Sequence, residues 1–257
     1  HLVRYEQFRE AAQLLAFALP HMARGDARVR AIADQARALA DSIEDPDKEL
    51  RAHYLRFVEK IDDATILRPS LEMIPPRHRY LAMVARLRGA GSVVEFGCGN
   101  AAPLMQTAQF FPGIAWLGVD VSEEQAFACC EQADRLGIAN VAFAVDPEER
   151  VFGKSDCVAV LDVLEHTVHP HEVLSKAERY ARPGGIVCVT IPEGAWAPHE
   201  DGPPKMRAGA HVAVSHMATL YQLLSSRGEV LHADRIAGHD RFEANASVTA
   251  TYVPRTP

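Results

Sequence analysis

The sequence predicts an α/β protein in which a mostly parallel sheet carries helices on both faces. Three observations lead there. Ser92–Phe96 is a short apolar run that enters a glycine turn, Gly97-Cys98-Gly99, and a helical pattern follows over Ala101–Phe111. Four more short apolar runs come after it, divided by helical or turn-rich sequence. Each run is continuously apolar, as a strand covered on both faces must be, whereas a strand with one wet face would alternate.

Ahead of the sheet, residues 3 to 67 read as helix throughout. Val3, Phe8, Ala12, Leu15 and Phe17 begin one amphipathic stretch, and Val29, Ile32, Ala36, Leu39 and Ile43 make another. Lys48–Ile61 makes a third after the break at Asp45-Pro46-Asp47. Arginines alternating with acids around these faces read as solvated helix surface. The region is expected to be a cap, an oligomerisation element or a linker. Prolines at Pro69, Pro75 and Pro76 mark the joint, dividing the chain into a helical region, 1–68, and an α/β domain, 69–257.

Arg77–Arg88 is helical and leads through Gly89-Ala90-Gly91 into the first strand. Trp116–Asp120 is the second strand. Ser122 then stands where it caps a helix that has Glu123 and Glu124 in its first turn and stops at Gly137. Val141–Val145, Asp156–Leu161 and Ile186–Ile191 are the next three strands, the last preceded by a helix over His171–Tyr180 and a turn at Arg182-Pro183-Gly184-Gly185. Pro192–Ala210 has no period and many prolines and glycines, the texture of a substrate loop or lid. His216–Arg227 resumes as helix, and Val230–Ile236 with Ala246–Val253 reads as a closing hairpin.

Composition narrows the function. A formal net charge of -7 argues against a general nucleic-acid-binding surface. No apolar run is long enough to span a bilayer and no signal-peptide pattern opens the chain, so a cytoplasmic protein is expected. The five cysteines include no CxxC pair, which favours reduced thiols over a disulfide framework or zinc site. The start at His1 and stop at Pro257 read as the ends of a segment from a longer polypeptide.

The glycine turn calls for a ligand. Glycines let the backbone bend sharply and approach a bound group, and the helix that follows turns free amide donors toward the same crevice. An acid, Asp120, ends the next strand about twenty residues on, where a carboxylate accepts the paired hydrogens of a ribose diol. A dinucleotide fingerprint would need a third glycine, and Asn100, Ala101 and Ala102 stand there instead. Glu95 would also repel a pyrophosphate, whereas it suits the cationic amino group of S-adenosylmethionine.

At these residues the chain resembles the class I S-adenosylmethionine-dependent methyltransferases. Val93–Ala101 resembles their first motif and Leu117–Ser122 their ribose-binding strand end. Asp162-Val163-Leu164-Glu165-His166 resembles the fourth-strand motif, and Arg182–Ile186 the turn before the fifth strand. Ala101 departs from the pattern, since many members have glycine there. The resemblance covers about residues 78 to 253 and implies a doubly wound, Rossmann-like sheet of seven strands with a reversed last hairpin. It implies further that Gly97, Cys98, Gly99 and Asn100 pass along the methionine portion, with Glu95 near its amino group. Asp120 would take the ribose diol and Val121 the adenine face. Asp146 and Pro147 would meet the adenine edge, and Asp162 and Val163 would lie under the sulfonium.

Methyl transfer from a sulfonium needs an oriented acceptor and, for a hydroxyl, a base. Histidine suits that task, and His166, His199 and His211 are the candidates among the histidines near the strand ends. Asp162, Glu165, Glu200 and Asp201 are alternatives as a magnesium site, but no spacing demands one, and no metal is expected. Trp196 stands in the irregular loop either as a stacking face for a sugar or aromatic ring or as loop packing. The expected activity is O-methylation of a small-molecule or glycan hydroxyl, without nucleic acid or membrane partners, and with the N-terminal helices available for homo-oligomerisation. Methylation of nitrogen, carbon or a protein side chain is the alternative among enzymes. A non-catalytic scaffold and a nicotinamide-dependent oxidoreductase are the readings from other classes. Intact Glu95, Gly97, Gly99 and Asp120 count against the scaffold, and the missing third glycine against the oxidoreductase.

Overall fold

Alternate residues along the central strands part to opposite sides of one seven-stranded sheet, and this sorting explains where the helices packed on it lie. The computed structural model describes residues 62–67, 72–145, 154–167, 169–192, 217–236 and 247–255. Among these, helices α1 (Asp63–Leu67) and α2 (Pro76–Leu87) precede strand β1 (Ser92–Phe96). Helix α3 (Ala102–Phe110), β2 (Ala115–Asp120), α4 (Glu123–Leu136) and β3 (Val141–Val145) follow, then β4 (Ser155–Leu161), α5 (Pro170–Glu178) and β5 (Ala181–Pro192). Helix α6 (Met217–Ser225), β6 (Gly228–Ile236) and β7 (Ser247–Pro254) complete the order. The strands lie as β3-β2-β1-β4-β5-β7-β6, with β7 antiparallel to both neighbours and the other pairings parallel.

On one face, Val93, Cys157, Ala159, Ile186 and Cys188 pack with Leu81, Ala82 and Ala85 of α2, Leu104 and Met105 of α3, and Cys129 of α4. On the other, Val94, Val158, Val160, Val187 and Val189 pack with Leu174 and Ala177 of α5 and Leu220 and Leu224 of α6. A side chain such as Leu81, fully buried, contributes about 1.5–3 kcal/mol by leaving water.

The helix termini follow from local chemistry. Ser122 Oγ accepts from the Gln125 amide at 3.1 Å, and Gly137 closes α4 in a left-handed conformation at φ 68. Helix α1, from the region expected to be a cap, an oligomerisation element or a linker, rests on the α/β body. Gln106 and Gln109 of α3 donate to the carbonyls of Thr65 and Ile66 at 2.8 and 3.1 Å, and Ile66 is fully buried. Arg135 of α4 donates to both oxygens of Asp63, each at 2.8 Å, and holds that exposed carboxyl down at about 2. Strand β5 begins five residues before the expected Ile186, at Ala181, because Ala181 already pairs with Ser155 and a register shift absorbs the turn. A side chain on Gly185 would meet the Arg182 and Ser155 carbonyl oxygens at 2.9 and 3.1 Å, so the bulge needs a glycine there. Among the described residues no helix is long and apolar enough to cross a membrane.

Candidate active site

The sheet order reverses between β1 and β4, so the loops leaving these strands diverge and open a crevice at their carboxyl ends. The glycine loop fills one side. Gly97 and Gly99 sit at φ 80 and 53, and the Gly97 and Cys98 amides both donate to the Val119 carbonyl at 2.7 and 3.1 Å. A Cβ on Gly97 would lie 2.6 Å from Val163 Cγ2, so Val163 closes directly on the loop. A Cβ on Gly99 would meet nothing within 4 Å, so the loop is open on that side.

Asp120 is the fixed point of the loop. Its Oδ2 accepts from the Gly99 amide at 2.8 Å and its Oδ1 from the Ser122 amide at 3.0 Å. Since Ser122 supplies the side-chain cap of α4, the Asp120 carboxylate is not spent as a helix cap; it ties the β2 end to the glycine turn. Asn100 accepts from the Ala102 amide at 3.1 Å and so opens α3. From α4, the Cys129 thiol reaches the Asn100 and Gly99 carbonyls at 3.4 and 3.6 Å. Burial pushes Cys129 up to about 11, which keeps it a thiol donor at neutral pH. Burial also pushes the Cys98 thiol well up, and its Sγ packs towards Gly118, leaving the backbone of Cys98 to line the loop. Val121 is half-buried beside Asp120.

Glu95 of β1 and Asp162 after β4 belong to the two strands that flank the switch point, and the first turn of α2 meets both. Glu95 is on the face of β1 covered by α2, because it shares the parity of Val93. There His78 Nε2 lies 3.2 Å from each of its carboxylate oxygens. Arg77 Nε lies 3.1 Å from Asp162 Oδ2, and Thr190 Oγ1 donates to Asp162 Oδ1 at 2.8 Å. Asp162 holds φ 53, a left-handed conformation that Asp tolerates better than most residues and that is commonly kept where function requires it.

His166 ends a single 3-10 turn, Leu164–His166, with its side chain one quarter exposed at the same edge. Its Nε2 is 3.8 Å from Glu165 Oε1, too long for a hydrogen bond. Glu165 is itself buried, and the loss of water, with Asp162 nearby, pushes its carboxyl well above the ordinary range. His166 therefore stands beside a carboxyl that burial shifts toward its neutral form.

Glu95, Gly97, Cys98, Gly99, Asn100, Asp120, Val121, Asp162 and Val163 thus gather at the carboxyl ends of β1, β2 and β4, with His166 on the same edge. Asp146, Pro147, His199 and His211 lie outside the described residues, as does Trp196. Sequence reasoning missed Arg77, His78, Cys129 and Thr190. A signal for His78 was present: it falls on the buried stripe His78, Leu81, Ala82, Ala85, so a titratable side chain stands at a core position of an amphipathic helix. No such signal marks Arg77 or Thr190, whose partner is far along the chain.

Residues 94–187 match a family model described as a methyltransferase domain. Over 179 residues the chain is 24% identical to "Ribosomal RNA small subunit methyltransferase G" of Bacteroides fragilis, covering 66% of this chain and 85% of that protein. Over 106 residues it is 30% identical to the ubiquinone biosynthesis O-methyltransferase of Maricaulis maris, covering 38% of this chain and 40% of that one. Its fold resembles the crystal structure of the N-methyltransferase NodS from Bradyrhizobium japonicum in complex with S-adenosyl-L-homocysteine, with a TM-score of 0.55 at 15% identity, covering 83% of this chain and 100% of that chain.

Proposed function

Starting from the class I S-adenosylmethionine-dependent methyltransferase domain that this chain carries, we propose that it methylates a hydroxyl of a small molecule. The chain is an enzyme of that class, with S-adenosylmethionine as its cofactor. The observation that carries the cofactor part of the reading is the Asp120 carboxylate, fixed by the Gly99 and Ser122 amides at 2.8 and 3.0 Å beside an open glycine loop. A carboxylate so held keeps acceptor capacity for two ribose hydroxyls.

When bound, the cofactor supplies a methyl group that is already activated. The residues have to orient the acceptor, exclude water and take a proton. In this proposal Gly97–Asn100 line the amino acid portion and Glu95 serves its amino group. Val121, Asp146 and Pro147 border the adenine. Asp162 and Val163 form the floor beneath the transferred group. His166 accepts the hydroxyl proton, with His199 and His211 as the other candidates for that role.

The Maricaulis maris relative, an O-methyltransferase by name, supports a small hydroxyl acceptor. The net charge of -7 supports it further, since a polyanionic backbone gains its affinity from cations. A glycan hydroxyl is the narrower form of the proposal and rests on the sequence of the Pro192–Ala210 loop. The second reading, an RNA acceptor, draws on the Bacteroides fragilis relative, which is named for ribosomal RNA. Transfer of labelled methyl from S-adenosylmethionine to a panel of phenols, free sugars, oligosaccharides and small-subunit ribosomal RNA separates these readings. Labelling of a phenol or sugar hydroxyl is the expected result; labelling of RNA alone would overturn the proposal.

A further inference from the structure

We propose that His78 is a positioning residue for the amino acid end of the cofactor, acting through Glu95; the inference rests on the S-adenosylmethionine reading above. His78 and Glu95 are 3% and 4% exposed, and Nε2 stands 3.2 Å from both carboxylate oxygens. A carboxylate only accepts, so Nε2 carries the proton and donates. An approach shared by the two oxygens engages the carboxylate along its bisector, and each oxygen retains a lone pair for a second donor. An ammonium group is such a donor.

The placement is specific to this helix. The other buried positions of the α2 stripe, Leu81, Ala82 and Ala85, are apolar, and packing alone would have been served by an apolar residue at 78 as well. Beside His78, Arg77 meets Asp162, so successive residues of one helical turn engage the two carboxylates that flank the switch point. The β1 carboxylate is thereby fixed before a ligand arrives, and the ordering of its side chain is not charged against binding. Without His78, the buried carboxylate loses the donor that holds its orientation. That loss weakens the grip on the ammonium and leaves the nucleoside contacts of Asp120 as they were.

The test compares two ligands that share a nucleoside. S-adenosylhomocysteine carries the amino acid portion and 5′-methylthioadenosine lacks it. Calorimetric titration of wild type, His78→Leu and His78→Gln should show His78→Leu weakening S-adenosylhomocysteine about tenfold, with methylthioadenosine changed less than about twofold. His78→Gln, which keeps an N–H donor, should recover part of the loss. If His78→Leu does not fold, His78→Gln decides alone, with an expected selective loss of about threefold. Equal weakening of both ligands would reduce His78 to a packing residue and overturn the proposal, as would unchanged S-adenosylhomocysteine binding in a folded variant. Wild-type protein that binds neither ligand would overturn the cofactor reading itself, and this inference with it. Methylthioadenosine binding by wild type keeps the two failures apart.

Discussion

Ala101 holds φ 52 at the entry to α3, where a Cβ is strained, and it is 1% exposed. Glycine there would relieve about 1 kcal/mol of left-handed strain, but it would add about 0.5–1 kcal/mol of chain entropy and lose about 0.8 kcal/mol of methyl burial. The terms nearly cancel, which gives a physical reason why alanine is tolerated at this position. Ala101→Gly should therefore melt within about 1 kcal/mol of wild type, and Ala101→Val, β-branched in the same backbone, should lose at least about 2 kcal/mol. Denaturant unfolding of the three proteins checks this; equal midpoints for alanine and valine would contradict it. Glu165 makes a different kind of prediction. Its folded carboxyl is raised by burial, so above the unfolded value near 4.5 the unfolded chain has released a proton that the native state still holds. Stability from this group therefore falls as pH rises from there toward the folded value. Glu165→Gln, which resembles the protonated acid, should show a smaller decline than wild type between pH 5 and 8, read as Tm against pH. Parallel curves would mean that Glu165 is ionised in the folded state.

Between elements, one closely hydrogen-bonded joint among the described residues lies away from the crevice. Arg227, after α6, donates to both oxygens of Glu178 at 2.7 and 2.6 Å and to Ser175 Oγ at 2.7 Å, while the Tyr252 hydroxyl of β7 donates to Glu178 Oε1 at 2.6 Å. These side chains are mostly buried, so the joint counts for more than a surface pair. Glu178→Gln should lower stability by about 1–3 kcal/mol and leave cofactor affinity unchanged, because the joint binds α5 to β7 and not to the glycine loop. Chemical unfolding with a parallel titration tests both halves. At this scale the sequence was informative wherever a strand was continuously apolar or a helix carried its cap. Val141–Val145 and the Ser122–Gly137 frame were legible for that reason. The start of β5 was not, because Arg182–Gly185 reads as a turn and only pairing of Ala181 with Ser155 makes it strand.

At the scale of the molecule, both packed faces of the sheet are built from residue 66 onward among the described residues. A chain beginning at residue 62 should fold and bind S-adenosylhomocysteine within about threefold of the full chain. Loss of binding on that truncation would place part of the site within residues 1–61. Much of the candidate site was legible because the loop and strand-end motifs are local, each written within about ten residues around Gly97, Asp120 or Asp162. The pairings His78–Glu95 and Arg77–Asp162 were not, since tertiary packing of α2 decides them and no local pattern records it. The most direct measurement of the central claim is calorimetric titration of wild type and Asp120→Asn with S-adenosylmethionine, S-adenosylhomocysteine and NAD. Micromolar binding of the two sulfur nucleosides, weakened at least about thirtyfold by the substitution and with no response to NAD, is the predicted result. A folded wild-type protein that binds neither sulfur nucleoside, or binds NAD in their place, would contradict it.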